Sequence, residues 1–106
     1  MEASPEVKVL QDLIQIHSTN GNEVEVTKYL QKLLAAHGIT ATVDEFGDRR
    51  ANLTAQVGAG TDKRILGLTG HMDTVAVSDP KSWHHDPFAG SIVGDKVYGR
   101  GAADMK

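Results

Sequence analysis

A chain of 106 residues can fold as one compact domain but not as two, since domains usually run to about 100–150 residues. Apolar residues at 40% and charged residues at 24% are an ordinary globular balance, which excludes disorder, collagen-like repeats and a coiled coil. The net charge of −3 and the lack of any dense Lys/Arg run exclude the electrostatic footprint of nucleic-acid binding.

No apolar run approaches the roughly 20 residues of a membrane span, and the first residues lack the basic start and apolar stretch of a signal peptide. A cytoplasmic protein with no membrane partner is the expectation. The chain contains no cysteine, which removes disulfides and Cys-ligated zinc and leaves His, Asp and Glu for any metal.

Ser4-Pro5 has the form of an N-cap followed by proline at the first helical position, and Leu10, Leu13, Ile14 and His17 recur at helical spacing, predicting a helix over about 5–17. The polar break Ser18-Thr19-Asn20-Gly21 leads into Asn22 with Glu25 three residues on, a variant of the capping box. Val26, Leu30, Leu33, Leu34 and His37 then form one stripe, and Gly38 ends this second helix. His37 in its last turn reads as a complement to the helix dipole rather than a ligand. Both His17 and Met72 read as core or near-core residues.

After Gly38 the period changes to two. Ile39, Ala41 and Val43 alternate with threonines, and Leu53, Ala55 and Val57 repeat the pattern after the charged turn at Asp48-Arg49-Arg50, predicting two strands. Gly58-Ala59-Gly60-Thr61-Asp62 is turn chemistry, and Ile65-Leu66-Gly67-Leu68 is the continuous apolar run expected of a central strand buried on both faces. Ser91-Ile92-Val93 and Lys96-Val97-Tyr98 flank Gly94-Asp95, a short hairpin. This order predicts an α/β sandwich with function at the carboxyl end of the buried strand, Thr69-Gly70-His71-Met72-Asp73.

His71 and Asp73, one residue apart on an extended backbone, point to the same side. A carboxylate there can accept the proton on one ring nitrogen and leave the other for a metal, although His-x-Asp alone is a weak signal and a loop histidine bonded to an aspartate is its plain alternative. In Tyr98-Gly99-Arg100-Gly101-Ala102-Ala103-Asp104-Met105-Lys106, small residues clear space around one aspartate; the spacing is wrong for a phosphate loop. His84-His85-Asp86 reads as a solvated loop, Arg100 as an anchor of the glycine-rich loop rather than a fork for a substrate carboxylate, and Trp83 and Phe88 as packing.

Gly70-His71-Met72-Asp73-Thr74-Val75, then Trp83 and Pro87-Phe88, then Gly99 to Lys106 together resemble the family of acetylornithine deacetylase, succinyl-diaminopimelate desuccinylase, aminoacylase and carboxypeptidase G, two-zinc metallopeptidases. The resemblance spans the chain, including the Ser18-Thr19-Asn20 break and Tyr29-Leu30, but its sharp motifs are the two around His71 and Asp104.

The resemblance implies the amino-terminal part of a zinc-exopeptidase-like α/β/α sandwich with a mixed sheet, so that residues 1–106 would be one part of a catalytic domain. It implies that His71 ligates one metal, that Asp104 bridges two, and that Asp73 orients His71; the ions would be zinc, with cobalt as an alternative. It implies hydrolysis of an amide in N-acyl amino acids or small peptides, with a general-base glutamate, three further ligands and a dimerising lid domain contributed from beyond residue 106, and hence a homodimeric whole protein. A non-catalytic α/β binding module of the same fold is the alternative.

Overall fold

The computed structural model describes residues 3–19, 21–58, 60–61 and 63–106, so the readings of Asn20 in the polar break and of Ala59 and Asp62 in the glycine turn fall outside the described residues. The first helix, α1 (Pro5–Gln15), starts as predicted: Ser4 is extended and its hydroxyl accepts from the Val7 N–H at 3.3 Å. Leu13 and Ile14 are its buried residues. The second helix, α2 (Val24–Ala36), does not begin with the predicted capping box. Glu23 occupies the cap position in helical conformation with no side-chain cap, and the Asn22 amide turns back to donate to the His17 carbonyl at 2.9 Å. Glu23 is diverted by a stronger partner: it is 4% exposed, and the Arg50 guanidinium donates to it through Nη2 at 2.9 Å and Nε at 3.2 Å. At the other end Gly38 takes φ +76, the left-handed conformation that closes a helix.

Strands β1 (Ala41–Gly47) and β2 (Arg50–Ala55) are the two predicted strands, and they pair as an antiparallel hairpin with Ala41 opposite Ala55 and Val43 opposite Leu53. Because side chains alternate, Ala41, Val43, Leu53 and Ala51 turn toward the interior while the intervening residues stay exposed. The hairpin packs on α2, where the Gln31 amide donates to the Ala41 carbonyl at 3.0 Å, and the two helices are tied by the Tyr29 hydroxyl donating to Asp12 at 2.8 Å. Burial pushes the Tyr29 phenol up to about 12, with the Asp12 hydrogen bond adding to it.

The hairpin predicted from the sequence is present as well, β3 (Ser91–Val93) against β4 (Lys96–Tyr98). Gly94 has positive φ and Asp95 does not, the pattern of a type II′ turn. Two residues of α1 hold the loop before it: the Gln11 amide donates to the Gly90 carbonyl at 2.8 Å and the Gln15 amide to that of Ala89 at 2.9 Å.

Two expectations are corrected. Ile65-Leu66-Gly67-Leu68 forms no strand, and Ile65, Leu66 and Leu68 are 84%, 84% and 89% exposed. An apolar run specifies burial on both faces but cannot supply the covering layers itself, and the described residues leave this one uncovered. The described residues have the expected α/β character, two helices with two small antiparallel hairpins, and the parallel pairing among them is the single bridge between Thr19 and Thr74. His17 is likewise exposed rather than near-core, its ring stacked on Phe88 at 3.9 Å, whereas Met72 is half-buried.

Candidate metal centre

The segment carrying His71 and Asp73 is held from behind by the turn after α1. The Ser18 hydroxyl donates to the Met72 carbonyl at 2.6 Å, and the Thr74 N–H donates to the Ser18 carbonyl at 3.0 Å. Ser18 is fully buried and Thr74 nearly so. Residues 72 and 74 thereby face the core, and the alternating residues 71 and 73 face away from it.

The His71 ring lies between two acceptors. Its Nε2 is 2.8 Å from Asp104 Oδ1, and its Nδ1 is 3.0 Å from the Asp73 main-chain carbonyl and 3.3 Å from Asp73 Oδ1. The carboxylate expected to orient the ring is thus the farther partner, with the peptide carbonyl nearer. The hydrogen bond with Asp104, followed by that with the Asp73 backbone, raises the His71 pKa above its ordinary value, because both partners stabilise the protonated ring. The Asp104 side chain is 89% exposed, so solvent weakens this pairing.

Asp104 reaches His71 because the glycine-rich segment doubles back against α1. A Cβ on Gly99 would overlap Ile14 Cγ2, and one on Gly101, which has φ +88, would lie 2.7 Å from Lys106 Cγ and 2.8 Å from Thr74 Cγ2. Only glycine permits both approaches. Lys106 closes the arrangement, its ammonium donating to the carbonyls of Leu13 at 2.9 Å and Ile16 at 2.5 Å, beyond the end of a helix with no basic residue in its own last turn. Burial lowers the Lys106 pKa to about 8.

The remaining sequence candidates lie apart from this pair. Arg100 donates its main-chain N–H to the Pro87 carbonyl at 2.7 Å and sets its guanidinium 5.2 Å over the Trp83 ring, which fits an anchor of the loop. His85 packs on Tyr98, ring centroids 4.4 Å apart, and His84 is exposed.

As donors, an imidazole nitrogen and a carboxylate facing each other, with a second carbonyl behind the imidazole, suit zinc or a similar divalent ion. The donor count covers part of a coordination shell: no group of three or more His, Asp or Glu that could hold a metal occurs among the described residues. His71 also borders an apolar cavity of about 260 Å³ walled by Leu13, Val26, Leu30 and Leu53, which lies under the loop between the helices and the first hairpin.

Three residues that shape the site carried no functional reading in the sequence. Ser18 was visible only as part of a polar break. Lys106 acts on carbonyls 90 and 93 positions away, and Glu23 meets Arg50 across 27, separations at which spacing holds no signal.

Residues 67–106, which include both motifs, match the family model described as peptidase family M20/M25/M40. A probable succinyl-diaminopimelate desuccinylase of Staphylococcus epidermidis is 37% identical over 100 residues, covering 94% of this chain and 24% of its own length. A succinyl-diaminopimelate desuccinylase of Ehrlichia canis is 37% identical over 103 residues, covering 94% of this chain and 27% of its own. Among solved structures, an M20 family metallo-carboxypeptidase of Sulfolobus solfataricus superposes with a TM-score of 0.84 at 23% identity, over 96% of this chain and 24% of that one, a likeness of fold. The chain spans about a quarter of the length of these relatives.

Proposed function

The chain is a relative of the M20/M25/M40 peptidases, and on that premise we propose that it carries part of the active site of a metal-dependent amidohydrolase acting on N-acyl amino acids or small peptides. The observation that carries this reading is the meeting of His71 Nε2 and Asp104 Oδ1 at 2.8 Å from two motifs 33 residues apart. His71 Nε2 would ligate one divalent ion and the two oxygens of Asp104 would bridge to a second, with zinc the metal and cobalt the alternative. The ions, when bound, supply Lewis acidity toward the scissile carbonyl and lower the pKa of water.

The chain's own residues hold and orient these donors. The Asp73 carbonyl accepts the His71 Nδ1 proton, so that Nε2 would present its lone pair to a metal once the proton facing Asp104 is lost. The Asp73 carboxylate, 3.3 Å from the same nitrogen, adds negative charge that strengthens the imidazole as a donor. We read residues 1–106 as the amino-terminal part of a catalytic domain, with the general-base glutamate and remaining ligands contributed from outside them. Succinyl-diaminopimelate and acetylornithine are the substrates that the relatives' names and the motif resemblance favour. A cytoplasmic homodimer belongs to the same proposal.

The test pairs substrates with variants. A panel of succinyl, acetyl and dipeptide substrates is assayed on the protein extended to include the glutamate and remaining ligands and on its His71→Ala and Asp104→Ala variants, and metal content is measured on each. Both variants are expected to lose activity severely, Asp104→Ala more so because a bridging carboxylate holds two ions and the histidine one. An Asp104→Ala protein that keeps two metals and normal turnover sinks the assignment.

A further inference from the structure

Ser18 makes two hydrogen bonds to one short stretch of chain more than fifty residues away, and they fall on either side of Asp73. Its hydroxyl donates to the Met72 carbonyl at 2.6 Å, and its carbonyl accepts from the Thr74 N–H at 3.0 Å. Across a planar trans peptide the C=O and N–H point in opposite directions. Holding the Thr74 N–H toward Ser18 therefore aims the Asp73 carbonyl away from Ser18, where it meets His71 Nδ1 at 3.0 Å. Holding the Met72 carbonyl fixes the preceding peptide plane in the same way. The clamp is rigid, because Ser18 is 0% exposed and Thr74 is 4% exposed.

We propose that Ser18 is a positioning residue for the candidate metal centre: by fixing the two peptide planes that flank Asp73, it places the Asp73 carbonyl on His71 Nδ1 and so sets the ring's rotation with Nε2 turned to Asp104. The proposal rests on the metal-binding reading only for what Nε2 is offered to; the orientation of the ring is a property of this chain's own hydrogen bonds. Among the described residues Ser18 makes its hydrogen bonds to Met72 and Thr74, not to His71 or Asp104, and so acts through the backbone of residues 72 to 74.

The experiment observes the His71 ring protons by ¹⁵N-edited NMR in the imidazolium form, where both nitrogens carry a proton. In the unsubstituted protein the Nδ1 proton is expected downfield and slow to exchange. In Ser18→Ala, which deletes the bond to Met72, that signature is expected to weaken selectively while the Nε2 proton facing Asp104 is retained; a role confined to stability moves neither or both. Should Ser18→Ala fail to fold, an ester in place of the Thr74 amide deletes the N–H to Ser18 while leaving every side chain intact, and is read the same way. Identical Nδ1 signals in the variant and the unsubstituted protein overturn the proposal. Zinc titration of the same proteins separates the two ideas. If His71 is a ligand, Ser18→Ala loses roughly 10-fold in affinity, the lower end of the range for partners behind a metal ligand. A changed Nδ1 signal with unaltered zinc affinity keeps the positioning role and counts against the metal reading.

Discussion

His71 is protonated more readily than a free imidazole because it faces Asp104 and the Asp73 carbonyl at once. A raised folded pKa means that these contacts contribute stability below the ordinary imidazole range and lose it as pH rises through the raised value. Zinc at Nε2 must displace the proton held toward Asp104, so zinc affinity is expected to rise with pH across the same window. Asp104→Asn removes the largest cause of the shift, and an NMR titration should find His71 returned toward its ordinary value; an unchanged midpoint would mean that the 2.8 Å contact does not persist in solution. Asp73→Asn is expected to be milder than removal of either proposed ligand. The main-chain carbonyl at 3.0 Å survives the substitution and only the charge at 3.3 Å is lost, so zinc affinity should fall about 10-fold or less. A loss of 100-fold or more in titration calorimetry would return the orienting role to the carboxylate.

At the scale of elements, the site depends on how closely the segment after β4 lies on α1. Gly99 sits where any Cβ would strike Ile14, a fully buried side chain that cannot swing aside. Gly99→Ala should therefore destabilise by about 1–3 kcal/mol, the usual cost of overpacking, seen as a lowered melting temperature. Shortening the obstacle with Ile14→Val should recover part of that loss in the double variant, since residues in contact are non-additive. Strictly additive losses would place the strain elsewhere than at this contact. The Glu23–Arg50 pair works at the same scale: it fastens the start of α2 to the start of β2, with Glu23 at the cap position one residue after the expected cap at Asn22.

The molecule as a whole is looser than its length requires. Its radius of gyration is 15.6 Å, against about 13 Å for a compact domain of this size. The described residues from 54 to 71 are all exposed, and the apolar side chains of Val57, Ile65, Leu66 and Leu68 stand in solvent together. Contiguous apolar surface of this kind promotes association. Leu66→Lys with Leu68→Lys is expected to reduce hydrophobic-dye binding and light scattering by this chain without lowering its melting temperature, because neither side chain packs on the described core. A cooperative loss of stability in that variant would show that the run is buried in solution.

Local patterns were legible in the residues alone. Ser4-Pro5 and Gly38 mark helix ends, alternation marks both strands of the first hairpin, and Gly94-Asp95 marks the second, because capping, pleating and turn preference are short-range effects that neighbours decide. The two motifs around His71 and Asp104 were also recognisable as a pair. Tertiary structure decided what lies between them. The capping reading at Asn22 failed because its amide turns back to the His17 carbonyl and Glu23, held by Arg50 from a distant part of the sequence, stands at the cap position, and the strand reading at 65–68 failed because burial depends on what covers a segment as well as on its own composition. That the peptide carbonyl of Asp73 rather than its side chain is the nearer partner of His71 also had no sequence signal, since it follows from the orientation of a peptide plane held by Ser18 from across the fold.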